Sequence, residues 1–177
     1  MILREAQKLI LRYGYQKVTM TDIAKACQIS RTTLYKSYPN KESIIVGLIN
    51  EALEVNVKES EKLLMEHGTL KEKLVSFFDI WTIQPAASVI ELEAGRDILM
   101  NVATYAPDAV AHHYEVFENM LTRLIEKEVK DEKHILSDDL AHILMVASKG
   151  LKASAESIDD LKRMINSLIA IVVAAVD

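Results

Sequence analysis

Apolar residues recur at spacings of three and four along most of the chain, which is the pattern of amphipathic α-helices. In the N-terminal part this spacing predicts helices over about 2–13, 20–27, 30–37 and 41–66. Beyond residue 69 it predicts five more, over about 70–82, 86–105, 107–129, 138–155 and 158–175. No segment has the alternation of a strand. We therefore expect an all-α protein with about nine helices.

Residues with capping preferences mark several of the predicted helix ends. Thr19, followed three positions later by Asp22, has the capping-box pattern for the second helix. Ser30 and Asn40 are predicted N-caps of the third and fourth helices, and Gly14 follows the first helix as a stop. These positions divide the N-terminal region into three short helices and the start of a long one.

The later helices carry their own boundary signals. Pro85 and Pro107 stand where two helices are predicted to start, because proline suits the first helical turn. Ser137 and Ser157 are predicted N-caps, since each is followed by acidic residues that interact favourably with the helix dipole. The polar segment 130–136 is the predicted connector between the helices at 107–129 and 138–155.

Composition supports the all-helical prediction and indicates a cellular setting. Half of the 177 residues are hydrophobic, whereas glycines number five and prolines three. Cys27 is the single cysteine, which fits a reducing cytoplasm. The first residues mix charged with apolar side chains, so no signal peptide is predicted, and the most apolar stretch, 168–176, is about half as long as a membrane span. We expect a soluble, cytoplasmic protein.

Charge is distributed unevenly between the two ends of the chain. The formal net charge is −5, but residues 1–49 hold eight basic and three acidic side chains, a net charge of +5. The remaining 13 basic and 23 acidic residues give −10. A basic segment attached to an acidic body is typical of a nucleic-acid-binding module fused to a regulatory domain.

The basic segment contains two short predicted helices separated by a tight turn, which is a helix-turn-helix. Small Ala24 allows the helices to cross closely, and Ile29 follows the turn as an apolar anchor. The second helix carries basic and hydroxyl side chains and no acidic one, as entry into the DNA major groove requires. Lys41 stands at the N-terminus of the fourth helix, where a cation opposes the helix dipole, so we expect it to bind a phosphate there.

One run of residues carries a family resemblance. It reads Gly14-Tyr15-x-x-Val18-Thr19-Met20-x-Asp22-Ile23-Ala24, then Ile29-Ser30-x-x-Thr33-Leu34-Tyr35-x-x-Tyr38-x-Asn40-Lys41-Glu42. Over about residues 2–48 it closely resembles the DNA-binding domain of TetR-family (tetracycline-repressor-like) regulators. The resemblance implies a helix-turn-helix domain at 1–48 and a larger helical ligand-binding and dimerisation domain at 49–177.

The resemblance also implies which residues contact DNA. The matching positions are Thr19, Thr21, Arg31, Thr32, Thr33, Tyr35, Tyr38 and Lys41. We add Lys36 because it is a basic residue on the same predicted helix as several of these positions. We expect one of the two tyrosine rings, Tyr35 or Tyr38, to pack inward.

Three features depart from the family pattern. Gln28 stands where the family usually has glycine in the turn, and a left-handed backbone there would cost about 1 kcal/mol. Thr32 replaces a frequent glycine and makes the groove-facing surface bulkier. The chain also begins almost at the first helix, ahead of which the family often has basic residues. Cys27, where the family has a small buried residue, is predicted to be an inert apolar side chain and not a redox sensor.

Large aromatic and polar residues of the predicted body point to an effector pocket, because ligand pockets are mostly apolar with a few polar groups. The candidates are Phe77, Phe78, Trp81, Arg96, Met100, Tyr105, His113, Phe117 and Met120. A plain packed core is the open alternative. No metal site or cofactor is predicted, since adjacent His112 and His113 point about 100° apart on a helix. No catalytic constellation is present in the sequence.

The last two helices are the predicted dimer surface, because the final helix is apolar over more than one face. The candidates are Leu140, Ile143, Leu144, Leu151, Leu161, Ile165, Leu168, Ile169 and Val172. A core buried within one subunit is the alternative. A dimer would present two recognition helices about 34 Å apart to a palindromic site on double-stranded DNA.

These patterns together predict a homodimeric DNA-binding transcriptional regulator. We expect a repressor whose DNA affinity falls when a small molecule binds the body and shifts the fourth helix. The alternative is a helical ligand-binding or scaffold protein whose N-terminal module no longer binds DNA. An enzyme is disfavoured. The sequence leaves open the effector, the operator, the sign of regulation and whether residues precede Met1 in the native protein.

Overall fold

Four helices make up the N-terminal part of the fold. In a computed structural model, which describes residues 1–128 and 136–176, these are α1 (Ile2–Tyr13), α2 (Met20–Ala26), α3 (Arg31–Ser37) and α4 (Lys41–Leu63). The first three pack around one small apolar centre, and α4 extends from it into the body. The predicted bounds are confirmed within three residues at each end.

The body begins with a continuous helical rod in which a π-helical segment lies between two α-helical ones. This rod comprises α5 (Leu70–Phe78), a π-helical segment (Asp79–Ile83) and α6 (Gln84–Ala87), which follow one another without interruption. The helices α7 (Glu93–Tyr105), α8 (Pro107–Glu128), α9 (Ser137–Ser154) and α10 (Ile158–Val176) complete it. With the rod counted as one, residues 1–128 and 136–176 contain nine helices and no strand, which confirms the all-α prediction.

Most of the predicted caps are confirmed. Thr19 and Asp22 exchange both capping-box hydrogen bonds, and Asn40 forms a capping box at α4. Ser157 Oγ accepts the Asp160 N–H at 3.1 Å. The prediction for Ser137 was wrong, because α9 starts at this residue and its cap position is Leu136, which has no side-chain acceptor. The predicted connector at 130–136, apart from its last residue, and the predicted helix end at 129 lie outside the described residues.

The predicted long helix over 86–105 was also wrong at its start. Pro85 does lie in the first turn of a helix, as expected, but that helix is the short α6, which continues directly from the π-helical segment. The chain leaves helical geometry after α6, and Leu92, just before α7, has an extended backbone (φ −100°, ψ 130°). At this break the backbone of Gly95 lies close to that of Val89. A Cβ atom on Gly95 would stand 2.2 Å from the Val89 carbonyl oxygen.

Two apolar clusters fill the molecule. The body cluster is built around Trp81, Phe77, Phe78 and Phe117, all of which are at most 2% exposed. The N-terminal cluster joins apolar residues of α1, α2, α3 and the first turns of α4. Ala106 is buried in this second cluster, and Val102 and Tyr105 pack against it, so the end of α7 completes the core of the N-terminal part.

Buried or partly buried polar contacts join the rod to α4 and to α8. The Trp81 indole N–H donates to Ser60 Oγ at 2.7 Å in the interior, between the π-helical segment and α4. Lys73 on α5 is paired with Glu128 on α8 at 2.5 Å, and the two side chains are 9% and 21% exposed. Since burying such groups unpaired costs free energy, these contacts specify which faces meet.

Candidate nucleic-acid interface

The first helix of the helix-turn-helix starts at a fully formed capping box. The Asp22 N–H donates to Thr19 Oγ1 at 3.2 Å, and the Thr19 N–H donates to Asp22 Oδ2 at 3.0 Å. The Thr19 hydroxyl itself donates to the same carboxylate oxygen at 2.6 Å. These hydrogen bonds from Thr19 hold the pKa of Asp22 below its usual range. The cap thereby satisfies backbone N–H groups at the N-terminus of α2 and fixes where this helix begins.

The turn between α2 and α3 contains a left-handed residue. Gln28 has φ 56°, and its N–H donates to the Lys25 carbonyl while the Ile29 N–H donates to Ala24, each at 3.0 Å. This backbone suits glycine, so the strain predicted from the sequence is present. Cys27 beside it is buried, and burial raises the pKa of its thiol, as expected for an inert apolar residue.

Replacing Gln28 with glycine is expected to raise the free energy of unfolding by about 1 kcal/mol, because the left-handed conformation costs a residue with a Cβ atom about that much. Thermal denaturation should then show a midpoint roughly 2–4 °C higher. Gln28→Ala keeps the Cβ atom and serves as the control, with no comparable gain expected. A midpoint for Gln28→Gly at or below the original value would contradict the strain.

The second helix, α3, packs on the protein through one buried residue, and all its other side chains are exposed. Leu34 is 0% exposed, and Ser30 caps the helix through the Thr33 N–H at 3.0 Å. Five predicted DNA-binding residues lie on its exposed surface: Arg31, Thr32, Thr33, Tyr35 and Lys36. The Arg31 guanidinium stands 6.0 Å from the centre of the Tyr35 ring. The surface therefore presents two cations, three hydroxyls and no carboxylate.

Three flanking candidates, Thr21, Tyr38 and Lys41, are half-buried. The two tyrosines divide as expected, because Tyr38 is half-buried against the N-terminal cluster whereas Tyr35 is 41% exposed. Thr21 is half-buried on α2. Lys41 Nζ donates to the Tyr15 carbonyl oxygen at 2.7 Å and lies 4.3 Å from the centre of the Tyr15 ring. An ammonium has three donors, so Lys41 keeps donors for a phosphate while it holds the turn after α1.

Tyr15 is the residue that sequence reasoning did not single out. It is 3% exposed, its hydroxyl donates to Glu42 Oε1 at 3.0 Å, and its ring stacks on Tyr105 with centroids 4.0 Å apart. Burial and the Glu42 carboxylate raise the pKa of Tyr15 far above its usual range. Tyr15 thus joins the end of α7 to the N-terminus of α4 and to Lys41. Its place in the family-like run was the only available signal.

Most of the predicted effector residues form packed core. Phe77, Phe78, Trp81 and Phe117 contact one another ring to ring, and Met120 is 4% exposed beside them. All five side chains belong to the body cluster, which favours the packed-core alternative. Tyr105 packs on Tyr15, away from the body cluster. Arg96 and Met100 line a cavity of about 290 Å³, where Arg96 donates to the carbonyl oxygens of Ala155 and Glu156.

A second cavity lies where the N-terminal helices meet the body, and its volume is about 230 Å³. Sixteen residues from α1, α4, α7, α8, α9 and the Pro85–Val89 region line it, and twelve of them are aliphatic or proline. Of the predicted effector residues only His113 is among them. Burial, the nearby charge of Lys152 and, to a lesser degree, that of His112 lower the pKa of His113 to about 4, so its imidazole is neutral at pH 7.

The predicted dimer residues divide between core and surface. Leu140, Leu144, Leu161, Ile165, Ile169 and Val172 are at most 8% exposed within a single chain. They belong to the body cluster, which favours the alternative of a core within one subunit. Leu151 and Leu168 are half-buried, and Ile143 is 58% exposed. Val146 and Ile171, which were not among the predicted residues, are 50% and 68% exposed.

Within the described residues, no helix combines the length and apolar character that crossing a membrane demands. The same part of the chain contains no group of three His, Cys, Asp or Glu side chains placed to hold a metal ion.

Known proteins share both the sequence of the N-terminal part and the fold of the chain. Residues 2–48 match the family described as bacterial regulatory proteins, tetR family. The fatty acid metabolism regulator protein of Bacillus subtilis is 32% identical over 73 residues, which are 41% of this chain and 38% of that protein. An uncharacterised HTH-type transcriptional regulator of Mycobacterium bovis is 31% identical over 101 residues, 57% of this chain and 47% of that protein. The chain thus spans less than half the length of these two relatives.

Other similarities extend over nearly the whole chain. The HTH-type transcriptional repressor ComR of Escherichia coli is 22% identical over 172 residues, 92% of this chain and 81% of that protein. The structure of Thermus thermophilus FadR with lauroyl-CoA has a TM-score of 0.68 at 18% identity and covers 97% of this chain and 91% of that one. A regulator of Saccharomonospora viridis with choline has a TM-score of 0.67 at 19% identity, with 96% and 93% covered. Residues 2–48 therefore carry the segment shared by bacterial regulatory proteins of the tetR family, and the two similar structures show that the chain as a whole has the fold of such regulators.

Proposed function

We propose that this regulator is a repressor that binds a palindromic operator through α3 and is released from it by a small-molecule effector. The observation that supports DNA binding is the surface of α3, where every side chain except Leu34 is exposed and none is acidic. Arg31 and Lys36 supply the positive charge that phosphates and guanine edges attract. The net charge of +5 over residues 1–49 supports the same conclusion.

We further propose that two copies of the chain pair through α9 and α10. Three large apolar side chains, Ile143, Val146 and Ile171, remain at least half exposed on these two helices. Exposed apolar surface of this kind favours burial against a partner. A two-fold dimer would also double the contacts to DNA, because each subunit presents one α3 to one half-site. The surface is smaller than the predicted one, since six of its predicted members are already buried in one chain.

The proposed effector site is the 230 Å³ cavity between the N-terminal helices and the body. Its walls come from both parts of the molecule, so a bound molecule would interact differently with different placements of α1 and α4 on the body. Such differential binding is what allows a ligand to change DNA affinity. The ligands in the two similar structures, lauroyl-CoA and choline, differ in size and charge. The cavity is too small for a whole acyl-CoA, and Lys152 in its wall disfavours a cation.

The proposed DNA binding is tested by fluorescence anisotropy with a labelled duplex from upstream of the chain's own coding sequence. Binding should weaken steeply with salt, and Tyr35→Ala should lower the affinity about tenfold or more, as expected for loss of a contact worth about 1–3 kcal/mol. Lys36→Ala should reduce the slope of log affinity against log salt by about one. Lys36 is preferred to Lys41 because Lys41 also holds the Tyr15 turn.

Lys162→Ala provides the matched control, because Lys162 is an exposed lysine on α10, far along the chain from the helix-turn-helix. It should leave both the affinity and the salt slope unchanged. Equal binding to this duplex and to one of random sequence, unaffected by Tyr35→Ala, would overturn the proposal. That outcome would favour the helical ligand-binding or scaffold protein considered above.

A further inference from the structure

We propose that the cavity between α1, α4, α7 and α8 binds a medium-chain carboxylate, with its alkyl chain against the aliphatic walls and its carboxylate at Lys152. The regulatory consequence rests on the proposed repressor function, whereas the binding itself does not. Three properties of the cavity lead to this ligand class: its apolar lining, its size and the nature of its few polar groups.

The lining is mostly apolar, and every contributing element except α9 supplies aliphatic or proline side chains to it. Ile10 of α1, Ile45 and Ile49 of α4, and Ile98 and Val102 of α7 are among the twelve aliphatic or proline residues around it. None of the sixteen lining residues is acidic. Such walls favour an alkyl chain, because removing apolar surface from water is the main gain available to a ligand here.

The volume limits the length of that chain. A water molecule in the liquid occupies about 30 Å³, so 230 Å³ is the space of roughly eight waters. Pockets for drug-sized ligands usually measure 300–1,000 Å³, so this one is suited to a smaller molecule. A linear ligand of about ten non-hydrogen atoms, such as octanoate, matches the size.

The polar groups in the cavity wall determine which charge the head group of the ligand can carry. Lys152 on α9 lines the cavity, and its Nζ donates to the Tyr114 hydroxyl at 3.2 Å. Neither Lys152 nor the neighbouring Lys149, whose Nζ lies 4.3 Å from the centre of the Tyr114 ring, has an ion-pair partner within residues 1–128 and 136–176. An ammonium in an apolar wall without a carboxylate partner favours an anion and repels a cation.

His113 adds a second polar group to the same wall. Its imidazole lines the cavity and makes no hydrogen bond with any residue in the described part of the chain. Because burial keeps this imidazole neutral, it offers one donor and one acceptor without adding a second positive charge. A carboxylate oxygen can accept from it while the other oxygen accepts from Lys152.

The protein carries its own reporter for this site. Trp81 is the single tryptophan, and its ring lies 5.2 Å from the His113 ring, centroid to centroid, in an edge-to-face contact. A ligand that contacts His113 should therefore change Trp81 fluorescence. Titration of the full chain with octanoate, in the absence of DNA, is expected to give a saturable change, and isothermal calorimetry measures the same binding without relying on the tryptophan.

Two further ligands and two variants make the test specific for the head group and for Lys152. Octan-1-ol should bind at least tenfold more weakly than octanoate, and octylammonium should give no saturable binding. Lys152→Met should weaken octanoate binding at least tenfold, since it removes the charge and keeps most of the side-chain volume. Lys162→Met, at an exposed position of α10 outside the cavity lining, should leave the affinity unchanged.

The inference is overturned if octanoate binds in neither method, or if Lys152→Met leaves octanoate binding intact. Stronger binding of octylammonium would likewise reject an anionic ligand. If octanoate binds as expected, adding it to the protein–DNA complex should lower DNA affinity at least tenfold. DNA binding without octanoate tests the proposed function, and octanoate binding without DNA tests this site, so failure of one is distinguishable from failure of the other.

Discussion

Replacing Ile171 with Asp is expected to give a folded monomer that binds its operator at least 100-fold more weakly. Ile171 is 68% exposed on α10, so the carboxylate meets water in the free subunit and costs the fold little. In the proposed dimer the same carboxylate would be buried without a partner, which strongly disfavours association. Separate subunits lose the advantage of tethering two α3 helices to one another, and a 100-fold loss corresponds to about 2.7 kcal/mol.

Light scattering after size-exclusion chromatography at micromolar concentration measures the subunit count, and anisotropy measures the DNA affinity. Val55→Asp is the matched control, because Val55 is also an exposed aliphatic residue, 59% exposed, but lies on α4. It should remain dimeric with unchanged affinity. An Ile171→Asp protein that stays dimeric would show that α10 does not form the interface at this position.

Replacing Gly95 with Ala is expected to lower the free energy of unfolding by about 3 kcal/mol and the melting midpoint by roughly 10 °C. Glycine inside a helix normally costs about 0.5–1 kcal/mol relative to alanine, so the usual effect would be a gain. Here the new Cβ atom would stand 2.2 Å from the Val89 carbonyl oxygen and 2.7 Å from Val89 Cα. These atoms are backbone, so the segment between α6 and α7 must move to relieve the overlap.

Gly150 supplies the comparison, because it lies inside α9 with no atom within 4 Å of a built Cβ. Gly150→Ala should therefore raise stability by about 0.5–1 kcal/mol. Both variants are best compared in the Ile171→Asp background, so that a partner subunit does not affect the result. Similar stability changes for the two glycines would show that the approach to Val89 is relieved without cost.

The features that the sequence predicted well are local ones. The capping boxes at Thr19 and Asn40 depend on residues three apart, so their pattern is complete in a few letters of sequence. Gln28 stands where the similar family usually has glycine, which raised the possibility of a left-handed backbone, and its φ of 56° has that conformation. The exposed surface of α3 follows in the same way, since a seven-residue helix with one apolar position can bury only Leu34.

Features that depend on distant parts of the chain were not predictable in the same way. Phe77 and Trp81 were candidates for a ligand pocket, but an aromatic residue that fills a core has the same sequence pattern as one that lines a cavity. Leu161 and Ile165 were assigned to a dimer surface, although the chain covers them itself. The cavity at Lys152 is formed by six separate segments, and only their packing brings the segments together.

The stack of Tyr105 on Tyr15 has a consequence for protein engineering. Val102, Tyr105 and Ala106 complete the apolar centre beneath the helix-turn-helix. A fragment that ends near residue 48 therefore lacks part of its own core. Transplanting residues 1–48 onto another regulator's body would leave that centre open on the side where α7 belongs. A chimera built to redirect this protein's operator choice should therefore graft the last turn of α7 together with the DNA-reading helices.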